Sequence, residues 1–405
     1  MPYSLGLSLG AGILVSLVTE AAGEGWVIAD GVDARVTTNM TSCDKDSHRG
    51  APTLRPDESS TTTPAFTGRF LHHVAVVGVG SIGQRHVRCF LDTGRAQVSF
   101  VDANSALASH VAERYRDAKA LCGLEAAAES GITAAVIATP APLHVPIATQ
   151  LANAGIHVLI EKPLAVGPDG VEALKEVVSL RNVVAGVAYV YRLHPAMASM
   201  RSAILSGRLG RPVELVAVAG QHFPTYRPTY RETYYASHAN GGGAVQDALT
   251  HVINAGEWLV GPVTRLIADA DRLVLEGVEV EDTVHVMARH GDVLASYSLN
   301  QHQSPNETTI TVICDNGVAR FEFHASRWRM MLHPGGEWID SVHELGRDEL
   351  FTRQANAFLD AIERHDAPPC TLDEGTATFL VNRAILRSVR DGAWQSLGSP
   401  HGETR

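Results

Sequence analysis

Cysteine is scarce and unpatterned in this chain of 405 residues. The five, Cys43, Cys89, Cys122, Cys314 and Cys370, are odd in number, and no two stand in a CxxC spacing. Nothing therefore indicates a zinc ribbon, a dithiol redox centre or a disulfide-stapled secreted fold, and a chain this long buries a core without staples. Such thiols suit a reducing compartment, so a cytoplasmic location is expected. Basic charge is also short: Lys plus Arg number 33 against 44 Asp plus Glu, a formal net charge of −11. That balance excludes a general nucleic-acid or polyanion binder, which needs a basic face to displace counterions. An anionic substrate stays compatible, because a few local arginines outweigh a distant net charge within one Debye length. With 19 % charged and 45 % hydrophobic residues, the chain has the composition of a compact globule, and its length predicts two or three domains.

Residues 5–18 form an uncharged apolar stretch with the look of a secretory hydrophobic region, yet no Lys or Arg before Arg35 supplies the positive flank. As a membrane span the stretch is diluted by Gly and Ser and followed at once by Glu20 and Glu24. The expectation is a flexible extension, or residues added by an upstream start codon, with no membrane association. From 41 to 69 the chain is Ser/Thr/Pro-rich and poor in aromatics, a composition that cannot repay backbone ordering. Residues 1–70 are read as extension and linker, largely disordered, with the organised part beginning near Phe70.

The organised part opens with a short β-branched run, 72–77, that leads straight into Gly78-Val79-Gly80-Ser81-Ile82-Gly83 and a helix-like QRHVRCFLD. In such a GxGxxG, Gly78 permits a tight turn, Gly80 lets the backbone approach a pyrophosphate, and Gly83 lets the helix pack on the strand. The first-turn N–H groups around Ser81 and Ile82 then face the phosphates. A second strand, 97–101, ends at Asp102, about twenty residues beyond the glycines, where a carboxylate accepts ribose hydroxyls and repels a 2′-phosphate. The combination predicts dinucleotide binding with NAD favoured over NADP. Apolar strands at 133–138, 157–160 and 183–189 alternate with amphipathic helices at 143–154 and 169–180, the pattern of a parallel sheet bound at the carboxyl ends of its strands. Those ends carry Thr139-Pro140, Glu161-Lys162-Pro163 and Tyr189 to Arg192, where functional residues are expected to concentrate.

Six segments, in order, resemble the glucose–fructose oxidoreductase/inositol dehydrogenase (Gfo/Idh/MocA) family. They are GVGSIGQRH (78–86), ATPAPLHVPIA (138–148), EKPLA (161–165), GVAYVYRLHPA (186–196), GGGAVQDALTH (241–251) and CTLDEGTATFLVNRAILRSVRDGAW (370–394). The resemblance spans about 72–396. It implies an α/β chain with a Rossmann NAD-binding domain over 71–191. It further implies a substrate-binding and oligomerisation domain over 192–396, α+β with a large open mainly antiparallel sheet, and a tail over 397–405. Cofactor contacts from Thr139, Pro140, His144, Glu161 and Lys162 are implied as well, as is a homodimer or homotetramer formed through the second domain's sheet.

Lys162 comes directly after an apolar strand. In a partly dry pocket beside a cationic ring its ammonium would be destabilised and could exchange protons near neutral pH; the plain alternative is a surface lysine paired with Glu161. The resemblance implies that Lys162 binds the substrate hydroxyl and assists proton transfer, and that a cis peptide before Pro163 aims it. Asp247 and His251 stand at i and i+4 in an expected helix over 245–260, on one face and one turn apart. That spacing fits a solvated pair, an incomplete metal site, or an acid/base unit in which the carboxylate orients the imidazole. The family's DxxxH motif matches the third, making His251 the base and Asp247 its partner. Asn254 stands where the family often has an acid. No metal is expected.

The second half is read as strands at 212–219, 265–270, 281–288, 292–299, 308–314 and 318–323 with tight turns, an antiparallel sheet with one face packed, closed by helices near 350–364 and 374–390. The loop 221–235 is rich in Tyr and Arg, which suit sugar faces, hydroxyls and carboxylates. Tyr226, Arg227 and Arg231 there, with Tyr191 and Arg192 at the domain junction, are candidate substrate contacts alongside Lys162, Asp247 and His251. The expected activity is hydride transfer between NAD and a secondary hydroxyl or ketone of a sugar, inositol or sugar-derived acid. An NAD-recycling glycosidase and a redox-silent NAD-binding sensor are the alternatives.

Overall fold

The computed structural model describes residues 71–398. The expected extension and linker, 1–70, and all but the first two residues of the expected tail lie outside the described residues.

β1 (His72–Val77) is buried along its whole length, as a central parallel strand covered on both faces must be. It is followed by α1 (Ser81–Asp92), β2 (Ala96–Val101), α2 (Ser105–Arg114), β3 (Ala118–Ala120), α3 (Leu124–Glu129) and β4 (Ala134–Ile137). Then come α4 (His144–Asn153), β5 (His157–Ile160), α5 (Val171–Arg181) and β6 (Ala185–Val187). The six strands are parallel in the order β3-β2-β1-β4-β5-β6. The order reverses between β1 and β4, so a crevice opens above their carboxyl ends, the place where such sheets take ligands. The expected strand 183–189 is shorter than read: beyond Val187 the chain winds into a 3₁₀ turn, Val190–Leu193, that holds Tyr191 and Arg192.

α6 (Pro195–Leu205) leads to β7 (Pro212–Gly220), a single helical turn α7 (Phe223–Tyr226), and α8 (Thr250–Val260). Next in the chain are the strands β8 (Arg265–Asp271), β9 (Thr283–His290), β10 (Val293–Asn300), β11 (Glu307–Cys314), β12 (Val318–Glu322), β13 (Arg327–Met331) and β14 (Ile339–Val342). Helices α9 (Glu349–Arg364) and α10 (Leu372–Asp391) and a short β15 (Gln395–Ser396) complete the described chain. The second sheet has the order β14-β13-β12-β11-β7-β10-β9-β8-β15 and is antiparallel except between β10 and β7. Along β9 and β10 buried and exposed residues alternate, so one face packs on α6, α8 and α10 and the other is left open.

The expected split at 191/192 needs correction at the C-terminal end. Ala355, Phe358, Leu359 and Ile362 of α9 join the core made by Val74, Val76, Phe90, Val98 and Phe100. The chain thus returns to cover the first sheet after building the second. Arg85 and Arg88 of α1 hold Asp348, just before α9. Among the described residues no helix is long and apolar enough to cross a membrane. Truncating Phe358 to Ala leaves a cavity against the first sheet and should cost about 3–5 kcal/mol in denaturant unfolding; a loss well under 1 kcal/mol would show that α9 is not part of that core.

Candidate active site

The turn after β1 is built for a phosphate. Gly78 adopts φ +86°, and a Cβ there would sit 2.8 Å from the Ala138 carbonyl oxygen at the end of β4. A Cβ on Gly83 would lie 1.9 Å from the Gly78 oxygen, whereas one on Gly80 would meet nothing within 4 Å. Two glycines are thus demanded by packing, and the third leaves an open side. No side chain caps the first turn of α1, so its N–H groups at Ser81 and Ile82 are available to an anion. Asp102 closes the crevice at the end of β2: Oδ2 accepts the Val79 N–H at 2.7 Å and Oδ1 the Asn104 N–H at 2.8 Å. Carboxylate oxygens have further lone pairs, so the ribose contact is compatible with this bracing. At the end of β4 the Thr139 hydroxyl oxygen is sealed from solvent without a partner among the described residues, an orphan beside the half-buried Pro140. An uncapped helix start, an open glycine, a carboxylate at β2 and an orphaned hydroxyl fit a dinucleotide.

Two expected cofactor residues are bonded into the scaffold. The ring nitrogens of buried His144 lie 2.8 Å from the Thr139 carbonyl oxygen and 2.9 Å from that of Pro163, bolting the β4 and β5 loops together. Burial lowers its pKa although the two carbonyls pull the other way. Glu161 is buried and turned back under α1, 2.7 Å from His86 Nε2; burial disfavours its charge, but His86 and Lys162 outweigh that and keep its pKa lowered. The Lys162–Pro163 peptide is cis.

Lys162 reaches across the cleft. Its Nζ donates to the Asp247 carbonyl at 2.9 Å and to Asp247 Oδ1 at 3.0 Å. The expected destabilised ammonium is not what this geometry gives: burial pushes the pKa down, but the Asp247 charge outweighs it and the net direction is up. Lys162 is a cation here, suited to donate rather than to accept a proton.

Asp247 does not sit in a plain helix. Residues Val245–Leu249 form a π turn ahead of α8, a local widening often found at functional sites. Its entry is pinned by Glu281, which accepts the Val245 N–H at 2.8 Å and binds His238. A Cβ on Gly243, at φ +89°, would lie 2.7 Å from the same carboxylate. The Asp247 side chain, 2 % exposed, accepts from Lys162, from the Tyr234 hydroxyl at 2.8 Å and from Arg227 Nη1 at 3.3 Å. Burial favours its neutral form, yet Arg227, Lys162 and Tyr234 together hold it well below the usual carboxylate range.

No Asp247–His251 hydrogen bond is present among the described residues; the carboxylate expected to orient the imidazole is directed instead to those three donors. His251 instead lies against aromatic rings. Tyr191 stacks on it at 5.2 Å between centroids with planes 24° apart, and Tyr189 meets it edge-on at 5.9 Å. Its Nδ1 is sealed without a partner among the described residues, leaving Nε2 as the nitrogen for a ligand. Burial first and Lys162 second push its pKa down to about 3.

Of the remaining sequence candidates, Arg227 reaches the site, while Tyr226 stays half-buried in the preceding turn. Arg231 points outward, its Nε donating to the Glu276 carbonyl at 2.7 Å. Arg192 is buried as a tie between elements: Nε donates to Asn254 at 2.9 Å and Nη1 to Glu374 at 2.6 Å. Asn254 likewise faces α10, donating to Thr378, away from the cleft. Sequence reasoning placed Tyr189 at a strand end and Tyr234 in the Tyr/Arg-rich loop without singling out either as a site residue. Both lie in segments rich in tyrosine, and no spacing signal singles either out.

Models of known families match both halves. Residues 72–189 match the oxidoreductase family with an NAD-binding Rossmann fold, and residues 197–320 match the Gfo/Idh/MocA C-terminal domain. Levoglucosan dehydrogenase of Pseudarthrobacter phenanthrenivorans is 28 % identical over 306 residues, 64 % of this chain and 78 % of that one. Inositol 2-dehydrogenase of Corynebacterium glutamicum is 26 % identical over 308 residues, 71 % of this chain and 85 % of that one. Among solved structures, levoglucosan dehydrogenase in complex with NADH and levoglucosan superposes with a TM-score of 0.75 at 22 % identity. That match covers 81 % of this chain and all of the other, a likeness of fold. Both halves are thus matched in the order in which the cradle and the cleft are built, and the chain belongs to the Gfo/Idh/MocA family of oxidoreductases, its first domain an NAD-binding Rossmann fold.

Proposed function

We propose that this chain is an NAD-dependent dehydrogenase acting on a secondary hydroxyl of a sugar, inositol or sugar-derived acid. The observation that carries the reading is the convergence of the Lys162 ammonium, the Asp247 carboxylate and the His251 imidazole beside the dinucleotide crevice. The dehydrogenase names of its relatives agree with it. Bound NAD supplies the hydride acceptor. His251, neutral and with Nε2 open to the cleft, takes the hydroxyl proton. The Lys162 ammonium donates to the same oxygen as charge develops on it. Asp247 holds Lys162 in place through both its carbonyl and its carboxylate, and Arg227 and Tyr234 are proposed to wall the substrate side. The cytoplasmic assignment is part of the same reading and accords with the free thiols of Cys89, Cys122, Cys314 and Cys370.

With a panel of sugars and polyols, a sustained rise in NADH absorbance is expected; sugar release with no lasting absorbance change would replace the dehydrogenase by a cleavage enzyme. Lys162→Ala and His251→Ala should each lower kcat by about 10²–10⁴-fold with the Kd for NAD within about threefold of wild type. Near-normal turnover removes that residue from the chemistry. Because the imidazole acts as an acceptor only when neutral, and its pKa is pushed from 6.5 to about 3, kcat/KM should fall only below about pH 5. An acidic limb centred at 6.5 would show that the ring is not held in this environment.

Asp102→Ala should weaken NAD and narrow its advantage over NADP by about tenfold; an unchanged preference would discard the ribose contact. We further propose that the open face of the second sheet, where Val218, Met287 and Leu294 are exposed, joins copies into a dimer or tetramer, since monomers rarely leave broad apolar faces bare. Sedimentation at micromolar concentration checks this, and a lone protomer there would rule it out.

A further inference from the structure

An imidazole used as a base is ordinarily aimed by a hydrogen bond to its second ring nitrogen. His251 has none among the described residues: Nδ1 is sealed without a partner, and Lys162, Arg227 and Tyr234 take the Asp247 carboxylate one turn earlier. What the ring does have is a stack. Tyr191 covers it at 5.2 Å and 24°, and Phe323 backs Tyr191 at 5.0 Å and 24°, so the Tyr191 ring is stacked on both sides. Tyr189 closes one edge at an interplanar angle of 83°, its own hydroxyl 2.8 Å from Thr250 Oγ1.

The stack is anchored from several directions. Tyr191 comes from the 3₁₀ turn after β6. Phe323 comes from the turn after β12, where Phe321 meets it at 72° and the His194 ring lies 5.5 Å away. The ring plane of His251 is therefore referred to the first domain's last strand and to the second sheet at once. Flat rings in face contact resist tilting, and a tilt of the imidazole would swing Nε2 away from its target.

We propose that Tyr191, backed by Phe323, is the positioning residue for His251, setting the plane of the imidazole by ring stacking where a carboxylate hydrogen bond would otherwise do so. This rests on His251 being the proton acceptor. It moves Tyr191 from the substrate contacts expected from the sequence to a residue that acts through another. It also makes the aromatic plane, and not the phenol hydroxyl, the feature that matters at position 191.

The full chain labelled at histidine, without NAD or substrate, gives the direct readout. The His251 ring-proton resonance, assigned by its loss in His251→Ala, should lie upfield through the ring current of Tyr191. It should stay there in Tyr191→Phe and move toward the free-histidine position in Tyr191→Leu. In turnover, Tyr191→Leu should lower kcat by about 10–100-fold with the KM for NAD within about threefold, and Tyr191→Phe should recover most of that loss. An unmoved resonance or an undiminished kcat in Tyr191→Leu overturns the proposal, as does a Phe variant as impaired as the Leu one. Should Tyr191→Leu fail to fold by circular dichroism, Phe323→Leu, which spares Tyr191, decides by the same two readouts. If the wild type turns over no sugar or polyol, or if His251→Ala stays active, the functional reading fails on its own, and the resonance still reports whether the stack exists.

Discussion

A carboxylate removed from water keeps its charge only if other groups replace the solvent, and Asp247 has three such groups from three parts of the chain. Lys162 comes from the loop after β5, Arg227 from the turn after β7, and Tyr234 from the loop that precedes the glycines. Each supplies a donor and two supply positive charge, so the desolvation penalty is offset locally. The dependence runs both ways. Lys162 is itself largely withdrawn from water and stays protonated because Asp247 is ionised. Removing Asp247 strands Lys162, a loss of about 3–5 kcal/mol for a buried charge left without its partner, whereas removing Lys162 leaves the carboxylate with Arg227 and Tyr234. The chemistry of the cleft and the docking of the Tyr/Arg loop are thus one electrostatic unit.

That unit spans two domains, and the rest of the fold keeps them in register. The first sheet ends at Val187, but α9 packs on the first core and α10 bridges both, with Leu372 and Phe379 on the first and Val381, Ala384 and Ile385 on the second. Arg192 joins the two through Asn254 of α8 and Glu374 of α10. A guanidinium with fixed fork geometry suits this work better than a lysine would. The residue looks like a ligand binder in the sequence because it stands at the carboxyl end of a parallel strand. It proves to be a buried tie because the neighbouring helices bring an amide and a carboxylate to it.

The legible parts of the sequence are those whose signal is local. The glycine turn, the strand that feeds it and Asp102 lie within about one βαβ unit, and backbone sterics alone demand Gly78 and Gly83. The strands of the second sheet are legible from alternation, apart from β13 and the short edge strands β14 and β15. DxxxH is half legible: spacing brings Asp247 and His251 to one region, but it says nothing about which donors arrive from elsewhere. Arg227 and Tyr234 lie 20 and 13 residues upstream of Asp247, at separations where no periodicity applies. The π turn shifts the carboxylate in a way that an i, i+4 argument for a regular helix does not include.

These features divide the labour between the two nitrogen bases of the cleft. Burial lowers the proton affinity of a lysine and of a histidine alike. The outcomes differ because of where one anion sits. Asp247 is bonded to Lys162, so the lysine recovers its proton and more. It makes no such bond to His251 among the described residues, and its charge, acting only at a distance, is outweighed there by burial and by the lysine cation. A single carboxylate, by choosing its partner, makes one group a fixed hydrogen-bond donor and leaves the other a neutral acceptor. Alcohol oxidation needs that pair: a positive donor where the oxygen gains charge and an uncharged base where the proton leaves. Had Asp247 turned to His251, as the spacing suggests, the imidazole would be better aimed, but Lys162 would lose the charge that keeps it protonated. The aromatic stack resolves that conflict by orienting the imidazole without drawing on the carboxylate.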